Sequence, residues 1–160
     1  MILDTQLAFD GTSSAFVAIT VTRDSTNVLD MGVVRDMAIG DQLAVAIFSN
    51  RLFAAAGAAT LTIAVQGSAL EGSGYVTYAQ SPAISIADLN SAVAGFGGLL
   101  FPIMLPRPPS GGTTRPRYYK LVYTVATGPF TAGAVRANLI PNTFRDDMQY
   151  YASGFSTANI

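Results

Sequence analysis

Residues 118–140 read YYKLVYTVATGPFTAGAVRANLI, and through most of this stretch the apolar positions recur with a period of two. Tyr119, Leu121, Tyr123 and Val125 fall on one face of an extended chain, with Tyr118 and Lys120 on the other. Thr127-Gly128-Pro129 interrupts the run, after which Val135, Ala137 and Leu139 share one face of a second strand. Branched and aromatic side chains at alternate positions suit a pleated, half-buried surface.

The same alternation recurs upstream. It places Val17, Ile19 and Val21 on one face of residues 15–22, Leu43, Val45 and Ile47 on one face of 42–48, and Leu61, Ile63 and Val65 on one face of 60–66. Shorter strand candidates are 2–9, 27–31, 75–80 and 99–105. Turn chemistry separates them at Asp10-Gly11, Asp24-Ser25, Gly40-Asp41, Gly57, Gly72-Ser73-Gly74 and Gly128-Pro129. Residues 86–94 fit one short helix, with Asp88 in its first turn and Gly95 ending it. The expectation is an all-β chain, a jelly-roll-like two-sheet antiparallel β-sandwich with at most one short helix. Its single core is expected to hold Val17, Ile19, Val45, Ile47, Ile63, Val65, Leu121, Tyr123 and Leu139. Residues 53–57 and 130–133 echo each other (Phe, small residues, Gly) and read as two similar hairpin loops rather than a repeat.

Alternation stops after Ile140. The division is therefore a sandwich domain over 1–140 and a C-terminal extension or arm over 141–160. The second part carries Phe144, Arg145, Tyr150, Tyr151 and Phe155, too aromatic for a disordered tail. Two readings stand: a last element folded back on the domain, or an arm docked on a partner.

The composition excludes more chemistry than it offers. Half of the 160 residues are hydrophobic and 12% are charged, with no His, Cys or Trp. The only lysine is Lys120 and the only glutamate Glu71. Nucleophilic catalysis needs a base beside the nucleophile, and neither a Ser–Lys motif nor an amino-terminal Thr is present. Asp146-Asp147 is the only adjacent acidic pair and reads as a solvated or salt-bridged patch. No calcium-loop spacing occurs, and the Gly-rich fragments at 72–74 and 95–98 complete no phosphate-binding motif. No catalytic residue, metal ligand, cofactor or small-molecule substrate is expected. A net charge of −1 gives no basic field for nucleic acid, and no run of about 20 apolar residues would cross a bilayer. The opening Met1-Ile2-Leu3-Asp4 is not that of a secretory signal. A mean hydropathy of +0.38 in so inert a chain points to surface buried against other chains, a second copy included. A dimer is the expected self-assembly and a trimer the runner-up. The side chains placed at a partner interface are Tyr118, Lys120, Phe130, Phe144, Arg145, Tyr150, Tyr151 and Phe155.

The stretch 118–140 resembles the capsid cement (decoration) proteins of tailed phages, of the Bordetella-phage type. Three further stretches are similar to that family: the opening MILD, STNVLDMGVVRD at 25–36 with Gly40-Asp41 after it, and FAAAGAATLTIAV at 53–65. The loop at 107–116 and the last twenty residues match nothing in it. The resemblance implies a jelly roll made in the host bacterial cytoplasm that sits on the outer capsid surface of the virion. There it would bridge neighbouring major capsid proteins, and it brings no catalytic residue with it. The rival reading is a non-catalytic carbohydrate- or receptor-binding jelly roll of a phage tail or adhesin. An exposed aromatic platform flanked by Asp or Asn would mark that rival.

Overall fold

The computed structural model describes residues 5–12, 15–32, 43–95, 98–105 and 115–141. After a 3-10 turn at Thr5–Leu7 come β1 (Ala8–Asp10), β2 (Val17–Ala18), β3 (Arg23–Asp24), β4 (Leu29–Asp30), β5 (Leu43–Phe48) and β6 (Ala54–Ala55). Then follow β7 (Thr60–Ser68), β8 (Val76–Gln80), β9 (Ile84–Ser85), the helix α1 (Ile86–Gly95), β10 (Leu99–Met104), β11 (Tyr118–Ala126), β12 (Phe130–Ala132) and β13 (Ala134–Pro141). One sheet runs β1-β13-β5-β10 with β2 also on β13; the other runs β3-β11-β7-β8 with β4 on β11 and β9 on β7. Every pairing is antiparallel. This is the expected all-β, two-sheet sandwich, with one short helix among the described residues.

The period-two reading holds where strands are long. Leu121 opposes Val65 and Tyr123 opposes Ile63, so β7 and β11 turn the same apolar faces inward. Val45 pairs with Leu139 and Ile47 with Ala137 on the facing sheet, and these side chains meet in one core. A one-residue slip would turn each set to solvent. The helix is capped as its sequence allows. Ser85 Oγ accepts from the Asp88 N–H at 3.2 Å and donates to Asp88 Oδ2 at 2.7 Å.

The segment 15–22 departs from expectation. Only Val17–Ala18 is strand, Val17 is half-buried, and Val21 is 57% exposed. The cause is a crossing between sheets. β2 pairs with β13 in one sheet, whereas β3, five residues later, pairs with β11 in the other. A chain changing sheets cannot keep one face inward. Its polar groups are met on the way: Ile19 N–H donates to Gly133 C=O, Phe130 N–H to Thr20 C=O, and Val125 N–H to Thr22 Oγ1.

The two echoing loops find each other. β6 pairs with β12 in a separate ribbon, and Phe53 meets Phe130 edge to face with ring centroids 5.4 Å apart. Asn90 of α1 fixes this corner by accepting from Phe53 N–H and donating to Phe53 C=O. Gly133 has φ 144°, and a Cβ there would collide with the Phe53 ring.

One polar node ties the sheets together. The Asp10 side chain is fully buried, and its Oδ1 accepts from Arg23 Nη2 at 2.9 Å, Thr26 N–H at 2.9 Å and Thr26 Oγ1 at 2.7 Å. Asp10 lies on β1 and Arg23 on β3, so the ion pair spans the two sheets at their edges. Replacing Asp10 by Ala strands Arg23 and is expected to cost about 3 kcal/mol, read as a lower urea midpoint at unchanged slope. Gly133→Ala forces the ring of Phe53 aside and is expected to cost about 1–3 kcal/mol in the same measurement.

Candidate functional site

The outward face of β11 carries the candidate side chains. Tyr118 and Lys120 alternate with the buried Tyr119 and Leu121, so strand period alone turns them outward. Neighbouring strands then supply partners from far along the chain. β4 lies beside Tyr118 and Tyr119, and β3 beside Val122 and Tyr123. That register delivers Asp30 to Arg117 and Asp24 to Lys120.

The resulting contacts are short and fixed. Arg117 grips Asp30 with both arms, Nε to Oδ1 at 2.6 Å and Nη2 to Oδ2 at 2.7 Å, a bidentate geometry only arginine offers. Its guanidinium also lies 5.0 Å from the centre of the Tyr118 ring. Lys120 Nζ meets Asp24 Oδ2 at 2.6 Å and sits 4.5 Å from the centre of the Tyr75 ring. Tyr75 in turn donates its hydroxyl to the Glu71 carbonyl at 2.7 Å. The Arg117 hydrogen bond, with that of the Gly32 N–H, holds the Asp30 carboxyl below its usual value of 3.8. Burial pushes the Tyr75 phenol up, helped by the nearby charge of Glu71.

Beside this face, Leu70 and Val76 lie exposed on and after the hairpin joining β7 to β8. An open depression of about 450 Å³ adjoins it, lined by Ala8, Thr26, Asn27, Asp30 and Glu71 among others. Both Asp30 oxygens are held by Arg117, and the Asn27 amide donates to Ala8 C=O. Among the described residues no group of three or more His, Cys, Asp or Glu could hold a metal ion. The arrangement presents rings, alkyl groups and preset hydrogen-bonding groups for contact.

Tyr118 and Lys120 are thus brought together as the alternation indicated. Phe130 is not with them: its ring is buried against Phe53 in the core. Its assignment to a partner interface is corrected, because the β12–β6 ribbon folds that ring inward. Phe144, Arg145, Tyr150, Tyr151 and Phe155 lie outside the described residues. The reading of the sequence missed Tyr75, Asp24 and Asp30 as members of the face. No local spacing marks them; only strand register brings them beside Lys120 and Arg117.

The fold is an antiparallel sandwich with an exposed sheet face whose cations are paired with its own carboxylates. The family model for Bbp16 matches residues 13–139, and the chain belongs to the Bbp16 family. That family name fits the Bordetella-phage resemblance of residues 118–140. No curated protein matches the chain.

Removing the guanidinium should release Asp30. In Arg117→Ala, the Asp30 carboxyl is expected to titrate higher than in the native chain, with the Gly32 N–H still holding it below its usual value, measured by carboxyl chemical shifts against pH. The sign follows from the lowered folded value. The pair stabilises above the unfolded carboxylate range, and that contribution is lost as pH falls through the folded value. The variant should therefore lose less stability than the native chain in that acid window.

Proposed function

We propose that this protein is a capsid cement protein, binding the outer surface of a phage capsid and bridging neighbouring major capsid proteins. Membership of the Bbp16 family over residues 13–139 carries this reading. The sandwich suits the task. Holding shell subunits against the pressure of a packed genome needs a stiff body and repeated contacts, with no titrating group and no enzymatic step. Modest interfaces repeated around a symmetric shell gain strength from effective concentration.

The contact surface in this proposal includes Tyr118, Lys120, Tyr75 and the exposed Leu70 and Val76. Its cations already pair with its own carboxylates, so a partner meets little net charge. A second copy is the other partner, paired as a dimer, with a trimer as the alternative closed arrangement. A carbohydrate platform gains no support here: a cation lies over Tyr118 and another over Tyr75, and the nearby Asp24 and Asp30 are salt-bridged.

Purified chain added to undecorated capsids should appear as discrete density over subunit junctions in reconstructions of the particles. Occupancy should change little between low and high salt, because exposed charges are screened within about 8 Å at physiological ionic strength and the cations of this face are already paired. Truncating Tyr118 to Ala should weaken attachment by roughly tenfold or more, as expected of an aromatic interface anchor. Absent density at saturating protein, or steep release by salt, would count against the proposal. Saturable binding to glycans without capsid binding would favour the receptor-binding module.

A further inference from the structure

The clasp between Asp10 and Arg23 is satisfied unevenly. Asp10 Oδ1 takes three donors, from Arg23 Nη2, Thr26 N–H and Thr26 Oγ1. Arg23 directs Nη1 to the Asp24 carbonyl at 2.9 Å and Nη2 to that same Oδ1. Among the described residues nothing bonds Asp10 Oδ2, Arg23 Nε or the Tyr123 hydroxyl, and all three atoms are buried. A buried carboxylate oxygen without a donor is costly, and so is a buried guanidinium N–H without an acceptor. In native proteins such groups find partners, in the chain or in ordered water.

The three atoms belong to one place. In a guanidinium the Nε and Nη2 hydrogens point the same way, which is how Arg117 grips both oxygens of Asp30. Arg23 offers the same edge to Asp10, but only the Nη2–Oδ1 half of the grip is made, so Nε faces the carboxylate without bonding it. The Arg23 guanidinium carbon lies 5.3 Å from the centre of the Tyr123 ring. Burial pushes the Tyr123 phenol up, and the charge of Asp10 pushes it further, which marks the two groups as neighbours.

We infer that this node is a binding site for one internal water, which joins Asp10 Oδ2, Arg23 Nε and the Tyr123 hydroxyl. The groups that line the site fix the chemistry of its occupant. The guanidinium repels a cation, the carboxylate repels an anion, and their charges cancel, so the occupant is neutral. It accepts from Nε and donates to Oδ2, and water does both with a second lone pair left for the phenol O–H. Three hydrogen bonds are typical of a water buried in a protein. Thr26 gives the reason for a bridge in place of direct contact. Both of its donors pull on Oδ1 and hold the carboxylate so that Oδ2 does not meet Nε. Through the water Tyr123 becomes a member of the clasp, and β1, β3 and β11 meet at a single point. No part of this depends on the shell role proposed above, and the test uses only the isolated protein.

A high-resolution crystal structure of the native full-length chain tests this directly. Expected is one rounded density peak within about 2.7–3.2 Å of Asp10 Oδ2, Arg23 Nε and the Tyr123 hydroxyl together. Direct bonding of Oδ2 to Nε or to the phenol, with no peak between them, overturns the inference. A peak with the anomalous scattering of a heavier ion overturns it as well. In solution, magnetic relaxation dispersion of water oxygen-17 counts long-lived internal waters. Tyr123→Phe removes one of the three bonds and should shorten the residence of one such water at least tenfold, with β-type circular dichroism retained. Identical dispersion in the native chain and in Tyr123→Phe overturns the inference. The crystal measurement needs no variant, and it decides the matter if Tyr123→Phe does not fold.

Discussion

The buried carboxylate of Asp10 is the constraint on which the arrangement of the two sheets depends. Apolar contact between sheet faces is strong but non-directional, and a well-packed core of Val, Ile and Leu tolerates small sliding. A buried carboxylate tolerates none, because each lost hydrogen bond leaves charge in a medium that cannot solvate it. Asp10 Oδ1 takes three donors from Arg23 and Thr26, which follow the crossing from one sheet to the other. Asn27 continues the clasp, donating its backbone N–H to Phe9 C=O and its amide to Ala8 C=O. Tyr123 lies alongside, its phenol pushed well above the ordinary range first by burial and then by the charge of Asp10. The edge of one sheet is thereby locked to the edge of the other.

Strand β3 shows how this lock shapes the outer surface. Its two residues point opposite ways: Arg23 goes inward to Asp10, and Asp24 outward to Lys120. The position of Asp24 on the exposed face therefore depends on the ion pair beneath it. The same logic carries Asp30 to Arg117 through β4, which shares the partner strand β11. Charges on this face are spent on internal order. In the capsid role proposed here, a partner meeting this face would gain contact with preset rings and alkyl groups, and the face would lose little conformational freedom in the process.

Much of the framework was legible in the sequence because long strands announce themselves by period. β11 follows its alternation throughout, β7 keeps Leu61, Ile63 and Val65 inward as read, and α1 begins at Ile86 behind its Ser85 cap. The short elements were not legible. Residues 15–31 change sheets within a few positions, so Val21 faces solvent despite matching the apolar pattern of Val17 and Ile19. Asp10 carried the signature of a turn, Asp before Gly, and its burial has no local mark. Phe130 and Phe53 looked like the tips of separate loops, and only the pairing of β6 with β12 folded them together.

By itself the sequence determined the fold class, the inward faces of the long strands, and the outward placement of Tyr118 and Lys120. Those follow from side chains that alternate every residue, a property local to each strand. Tertiary structure alone decided which charges pair and which rings are buried. Each of these depends on strands brought together from distant parts of the chain. Pairing register, which no local pattern encodes, sets Asp24 beside Lys120 and Asp10 beneath Arg23.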